Sequence, residues 1–235
     1  MGEFVPKIQE RLRHAGFPLF RTSTVQEILI GPRPAVKMGE RWLFSSKEGT
    51  HTVVLAKDFV VLATSQYAVF EEFVEKFAIA LETVGGEADV ALSDRMGLRY
   101  VDLIRTQSGE NLNEYLQPGL HGLSADALGA SRVLHQTQIS AVTDMGQLVV
   151  RLWQANDGRF LPPDLEGDDV KFNVSLTKDE LVTILDIDHF SIEERSFVVK
   201  DLVSALWRLH EGPDRAFRAM TTDDARNRWG AEPAR

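Results

Sequence analysis

The chain has 235 residues, of which 43% are hydrophobic and 26% are charged, and it contains no cysteine. Without cysteine there is no disulfide framework, no thiolate nucleophile and no cysteine-ligated metal. The formal net charge of −9 argues against a protein whose main role is to bind nucleic acid or anionic lipid. We expect a cytoplasmic protein, because no secretory leader opens the sequence and no apolar run is long enough to cross a bilayer.

The first half of the chain predicts a β-meander between two helices. In chain order, the patterns indicate a helix over 5–14, a strand over 24–30 that stops at the turn 31–34, a meander over 41–64, a long helix after Ser65 that ends at Gly85-Gly86, and a strand over 90–104. The helix signal is the recurrence of apolar residues every three or four positions, and the strand signal is their alternation. We therefore expect a sheet covered by a helix in this half.

The second half repeats the sequence of strands followed by a long helix. The patterns indicate a loop over 106–131 with one helical turn at 124–128, strands over 133–142, 147–155, 170–176 and 181–187, a helix over 195–210, a short helix from 221 and a frayed tail over 231–235. Ser191 and Glu194 have the spacing of a capping box. They predict that the long helix begins directly after them.

Two stretches of the chain resemble each other. Residues 53–58 and 174–179 share Val, Leu, Lys and Asp at the same spacing, and each stretch follows a tryptophan and an acidic-glycine turn. Chance recurrence and a duplicated β-β-β-α unit both explain this echo. Duplication predicts an α+β fold: an antiparallel sheet made from two pseudo-repeated units, with the long helices packed on one face. The halves are then 1–105 and 132–235, joined by the loop 106–131, and they can form one continuous domain.

The usual catalytic and cofactor-binding motifs are missing from the sequence, so no cofactor and no catalytic residue are predicted. Arg95 and Arg99 lie on one side of a predicted strand with Gly97 between them. Guanidinium groups bind oxyanions through paired hydrogen bonds, so this pair predicts an anion site. Pairing with acidic side chains on neighbouring strands is the alternative, and the excess of 35 acidic over 26 basic residues favours it.

One group of residues has the spacing of metal ligands. Asp186 and Asp188 would share one face of a strand, and His189 follows them. Such carboxylates can hold a hard cation. A strand end that runs into a solvated loop is the alternative explanation, and a metal would need further ligands from elsewhere in the chain.

A longer signature in the chain resembles that of a known family. It consists of Trp42-Leu43-Phe44-Ser45-Ser46, Val53-x-Leu55, Thr64-x-x-Tyr67-x-x-Phe70-x-x-Phe73 and Arg95-Met96-Gly97-Leu98-Arg99-Tyr100-Val101-Asp102. The chain thereby resembles the sporadically distributed bacterial and archaeal family known as TIGR-zero-four-two-five-five, whose hallmark is an Arg-x-Gly-Leu-Arg-Tyr strand. The resemblance implies that Arg95, Gly97, Arg99 and Tyr100 are candidate binding residues. That family is uncharacterised, and the resemblance implies accessory or mobile-element biology, such as defence or toxin neutralisation.

Three functions are compatible with the sequence. An acidic, sheet-rich chain without catalytic motifs favours a non-enzymatic binding protein that acts through a protein partner, such as a basic toxin. The alternative is a binding protein or enzyme for a small anionic ligand, which Arg95 and Arg99 would hold in a cavity between sheet and helices. A homodimer that associates through an exposed sheet face or edge is the third.

Overall fold

The computed structural model describes residues 1–29, 35–106, 110–123, 125–131, 133–165, 170–177 and 180–230. The strands are β1 (Leu19–Leu29), β2 (Ala35–Ser45), β3 (His51–Leu55), β4 (Val60–Thr64), β5 (Leu92–Ile104), β6 (Gln136–Thr143), β7 (Gly146–Ala155) and β8 (Val182–Ser196). The helices are α1 (Val5–His14), α2 (Phe70–Ala88), α3 (Ala125–Leu128), α4 (Val199–Met220) and α5 (Asp223–Trp229). Helices and antiparallel sheets are both present, so the predicted α+β class is confirmed.

The strands form two four-stranded sheets rather than one continuous sheet. The first has the order β1-β2-β3-β4 and the second the order β5-β8-β7-β6. The chain divides correspondingly into two compact units. The first unit comprises Met1–Leu92, Gly167–Val174 and Arg195–Val203, and the second comprises Ser93–Glu166, Ser175–Glu194 and Ser204–Arg235.

In the first unit, α1 and α2 pack on the meander as the periodicity predicts. Trp42 and Phe44 alternate along β2 and lie on the helix-facing side of the sheet. They join a core with Ile8 and Leu12 of α1 and Ala80 of α2, all of which are fully buried or nearly so. The predicted helix over 5–14 and the meander over 41–64 are confirmed.

The predicted ends of α2 are wrong. The helix continues through Gly85 and Gly86 to Ala88, and it stops where Asp89 adopts a left-handed φ of 49°. The ring of Phe197 packs on Gly85, where a Cβ atom would lie 2.7 Å from its Cε1, so glycine at this position makes room for a ring rather than ending the helix. At the other end the N-cap residue is Val69, and no side chain caps the helix, so Ser65 does not serve that purpose.

Two predictions in the second half are wrong as well. Residues 170–177 form no strand: the Lys171 N–H instead donates to the Gly49 carbonyl (2.8 Å), and the Ser65 hydroxyl donates to the Lys171 carbonyl (2.5 Å). The capping box does not start a helix, because β8 runs on through Ser191 and Glu194 to Ser196. Pairing within a sheet overrides the local capping signal, and α4 begins only at Val199.

The second predicted β-β-β-α unit is wrong, because it included a strand at 170–176 that does not form. Three strands and a long helix nevertheless follow one another twice, as β2-β3-β4-α2 and β6-β7-β8-α4. The two sheets differ in where the remaining strand is added: β1 lies beside β2, the first strand of its unit, whereas β5 lies beside β8, the last strand of its unit. The echoing stretches are also not equivalent, because 53–55 belong to β3 and 174–176 belong to no strand. Each long helix packs on its own sheet. The predicted turn at 31–34, Ser124, residues 178–179 of the echo and the tail 231–235 lie outside the described residues.

Candidate functional site

The second sheet has a helix-covered face and a face that carries charged side chains. Buried Val150, Leu152, Leu185 and Ile187 pack with Met220 and other side chains on the helix-covered face. Successive residues of a strand point to opposite faces. The other face, which we call the charged face, carries Arg99 of β5, Arg151 of β7, and Asp186 and Asp188 of β8.

Asp186 lies at the centre of the charged face and is completely buried. Arg99 donates to both of its carboxylate oxygens, through Nε (2.6 Å) and Nη2 (2.9 Å). Arg151, which is opposite Asp186 in the β7–β8 register, donates from Nη1 over 3.0 Å. A buried carboxylate is tolerated only when it is paired and hydrogen-bonded, and these two arginines meet that requirement.

Arg99 also binds a second carboxylate. Asp164 lies in a short 3-10 turn, Pro163–Leu165, and accepts from Nη1 (2.6 Å) and Nη2 (3.1 Å) of Arg99. Burial disfavours the charged guanidinium, but the hydrogen bonds to Asp164 and Asp186 prevail and raise the pKa of Arg99. The hydrogen bond from Arg99 in turn lowers the pKa of Asp164. All three guanidinium nitrogens of Arg99 are therefore engaged within the protein.

Arg95 differs from Arg99 although both lie on β5 and point to the same face. Arg95 is exposed, and its guanidinium carbon lies 4.7 Å from the centre of the Phe190 ring. Gly97 allows this arrangement, since a Cβ atom there would lie 3.2 Å from Cβ of Phe190. Within the described part of the chain, Arg95 makes no ion pair. The structure thus brings the two arginines to one face but gives them different partners.

Tyr100 lies on the helix-covered face, as the alternation along β5 predicts. Met96 and Leu98 are buried on that side. The Tyr100 hydroxyl forms a hydrogen bond with Nδ1 of His210 in α4 (3.1 Å), and the two rings are 5.9 Å apart. Tyr100 consequently joins β5 to α4 and does not meet Arg95 and Arg99.

The three residues with metal-ligand spacing do not converge. Asp186 and Asp188 share the charged face, whereas His189 points to the other face and is buried there. His189 is held by the Leu209 carbonyl (Nδ1, 2.7 Å) and the Thr143 hydroxyl (Nε2, 2.8 Å). Among the described residues, no group of three or more His, Asp or Glu side chains is placed to hold a metal ion.

Two carboxyl groups of this sheet have raised pKa values. Burial raises the pKa of Asp188, although Arg99 and Arg95 act in the opposite direction. Burial alone raises the pKa of Asp102 on β5 from 3.8 to about 6. Of the described residues, none forms a hydrogen bond or ion pair with Asp102. This carboxyl group therefore destabilises the folded protein when it is ionised.

We expect Asp102→Asn to raise the free energy of unfolding at pH 7 by on the order of 1–2 kcal/mol. As pH rises from 3.8 towards 6, the unfolded chain releases the Asp102 proton first, so the stability of the native protein falls over this interval. The free energy of unfolding of the asparagine variant does not fall in this way, because asparagine does not ionise. Urea unfolding at pH 4 and pH 7 measures the difference, which should be close to zero at pH 4. An equal gain at both pH values would contradict the prediction.

A feature that the sequence reasoning missed lies at the edge of the same sheet. Strand β6 has no charged residue, no proline and no glycine over its eight residues, Gln136–Thr143. Most of its side chains are exposed, with Ile139 45% and Val142 92% accessible to solvent. Alternation identified the strand, but only the strand order shows that β6 is an edge. The signal available beforehand was its lack of charge.

The backbone groups of β6 alternate between β7 and solvent. The Gln154 N–H donates to the His135 carbonyl (3.0 Å), which makes these residues a hydrogen-bonded pair in the antiparallel register. Odd-numbered residues of β6 therefore bond to β7, and the N–H and C=O groups of even-numbered residues point outward. These outward residues are Gln136, Gln138, Ser140 and Val142.

A cavity of about 280 Å³ lies in the first unit, where Leu81 and Gly85 of α2 face Phe197. Neither Arg95 nor Arg99 lines it.

The length and apolar character of the helices bear on whether one could cross a membrane. Among the described residues, no helix is both long and apolar enough to span a membrane.

The chain was compared with protein-family models, with curated proteins and with solved structures, and none of them matched. The resemblance to the Arg-x-Gly-Leu-Arg-Tyr family therefore stays a prediction. The function has to be argued from the geometry of this chain.

Proposed function

We propose that this chain is a non-enzymatic binding protein of the cytoplasm, and that its protein partner adds an extended strand to the edge of β6. The observation that carries this proposal is an eight-residue uncharged edge with four residues whose backbone groups point outward. Main-chain hydrogen bonds to such an edge provide affinity in many peptide complexes, and alternate side chains provide selectivity.

The combination of length and lack of charge distinguishes β6 from the other sheet edges. Exposed edge strands are commonly protected from unwanted pairing by charged side chains, by short length or by a covering element. Edge strand β1 carries Arg21, and edge strand β5 carries Asp94 and Arg95. Edge strand β4 is only five residues long and lies against α2. Strand β6 is eight residues long and uncharged, and among the described residues its side chains are mostly exposed, which favours a role in pairing.

The small-anion alternative has less support. It requires Arg95 and Arg99 to face a ligand together, but Arg99 is occupied by Asp164 and Asp186. Opening that cluster to an anion would leave the buried Asp186 with Arg151 as its one partner among the described residues, which is costly for a buried charge. Arg95 is exposed, and on its own it offers no enclosure for a small ligand.

Site-specific photocrosslinking in the native host tests the proposal. We expect a benzoylphenylalanine residue at position 142 of β6 to form a defined adduct, whereas the same residue at Glu71, an exposed position of α2, forms none. Ser140→Pro should abolish the adduct, because proline removes an outward N–H without removing a β6–β7 bond. Circular dichroism and thermal unfolding check that this variant folds. Equal labelling at both positions, or an adduct that Ser140→Pro leaves unchanged, would refute the proposal.

A further inference from the structure

We infer that the strand that completes the β6 edge is β6 of a second copy of this chain, in a two-fold symmetric antiparallel pair. This inference rests on the proposed function, since it names the partner at the same edge. The pair would join two four-stranded sheets into one sheet of eight strands. In a two-fold symmetric pair both copies use the same strand, and the two strands run antiparallel. Each side chain and backbone group of β6 must therefore fit against β6 itself.

The first argument is an apolar row that ends at the edge. The registers place Ile139 of β6 opposite Val150 of β7, and Val150 opposite Ile187 of β8. Ile187 and Val150 are buried in the core, whereas Ile139 is 45% exposed. The row therefore lacks an apolar neighbour on the outer side of Ile139. A second Ile139 across the two-fold axis would supply one, and such β-branched cross-strand pairs stabilise sheets.

The second argument is the register that the backbone permits. Only the even-numbered residues of β6 have outward hydrogen-bonding groups, so an added copy must pair even with even residues. A two-fold axis through Ile139 meets this condition, with Gln138 opposite Ser140 and Gln136 opposite Val142. Ile139 then faces its own copy in a non-hydrogen-bonded pair, where side chains are closest. One axis thus pairs the outward backbone groups and also gives Ile139 an apolar neighbour.

The third argument is charge. No charged side chain of either β6 strand opposes another in this pairing. The net charge of −9 on each copy causes a general repulsion, but salt at physiological concentration screens it over about 8 Å. Self-association should consequently strengthen as salt rises. A basic partner at this edge would show the opposite trend, because salt weakens attraction between unlike charges.

The absence of native cysteine provides a clean test of the axis. Ile139→Cys places two thiols opposite each other in a close non-hydrogen-bonded pair, within the Cα separation that a disulfide requires. We expect mild oxidation to convert this variant to a covalent dimer of twice 26.3 kDa, at least tenfold faster than Ala141→Cys. Ala141 is the matched control, because it lies on the same face but opposes Thr137 of the other copy.

A charge variant tests the same contact without oxidation. Ile139→Lys puts two ammonium groups opposite each other, so it should raise the dimer dissociation constant at least tenfold in sedimentation equilibrium. Val142→Lys opposes Gln136 and should have a much smaller effect. A wild-type dimer that tightens with salt, together with these results, supports the inference.

Three outcomes would overturn the inference, and they separate it from the proposed function. A dimer in which Ala141→Cys oxidises as fast as Ile139→Cys excludes this axis. A monomeric wild-type protein whose position 142 crosslinks to a different protein excludes a second copy and leaves the proposed function standing. A monomer without any adduct at position 142 refutes both.

Discussion

Replacing Arg99 with leucine should lower the free energy of unfolding by about 3 kcal/mol, at the lower end of the range for breaking a buried ion pair. In the part of the chain that the structure describes, side chains donate three hydrogen bonds to the buried Asp186, and the variant removes the two from Arg99 and leaves the one from Arg151. It also releases Asp164 from the sheet. Urea unfolding at pH 7 measures the loss.

Arg95→Leu is the matched control, because Arg95 lies on the same strand and the same face. Its side chain is exposed, and its guanidinium lies over the ring of Phe190. Substitution there should change stability by no more than about 0.5 kcal/mol, as is usual at the surface. Equal losses for the two arginines would show that the cluster around Asp186 does not stabilise the fold.

The double variant Arg99→Leu/Asp186→Leu shows how much of the loss of stability comes from leaving the Asp186 carboxylate buried without Arg99. Replacing both partners of a buried ion pair by apolar residues is often nearly neutral. We therefore expect the double variant to recover most of the stability that Arg99→Leu loses. A double variant as unstable as the single one would mean that packing, rather than the unpaired carboxylate, dominates.

These contacts also show which part of the site the sequence can predict. Alternation along a strand places Arg95, Gly97 and Arg99 on one face, and that prediction depends only on local backbone geometry. The partners of Arg99 are 65 and 87 residues away in the chain, at Asp164 and Asp186. Their meeting depends on the strand order and on a loop conformation. Neither follows from local pattern, so two arginines that look alike in sequence have different roles.

The same contrast between local pattern and long-range contacts applies to the fold. Helix α1 and the meander β2-β3-β4 are built from local turns and periodicity, and both were predictable. The capping box at Ser191 and Glu194 fails because β8 pairs with strands on both sides. Long-range pairing likewise decides that β6 is an edge and that β8 lies between β5 and β7. The strand β6 and its lack of charge could therefore be read from the sequence, but its position at the edge of a sheet could not.

Gly146→Ala should destabilise the protein by about 3 kcal/mol or more, through backbone strain combined with overpacking. Gly146 begins β7 with a φ of 138°, a conformation that side chains other than glycine rarely adopt. A Cβ atom at this position would collide with the carbonyl oxygen of Phe190 and lie 2.9 Å from Cα of Ser191. Both atoms belong to the backbone of β8, so no side-chain rotation relieves the collision.

Gly158→Ala separates the two causes. Gly158 also has a positive φ, 85°, but a Cβ atom there would meet nothing within 4 Å. It should cost only the strain of the left-handed conformation, about 1–2 kcal/mol. Thermal unfolding of both variants measures the difference, and equal losses would contradict the collision.

Gly146 also lies at the turn that fixes β6 against β7. Its substitution should therefore disturb the row of Ile187, Val150 and Ile139 and weaken self-association, whereas Gly158→Ala should leave association unchanged.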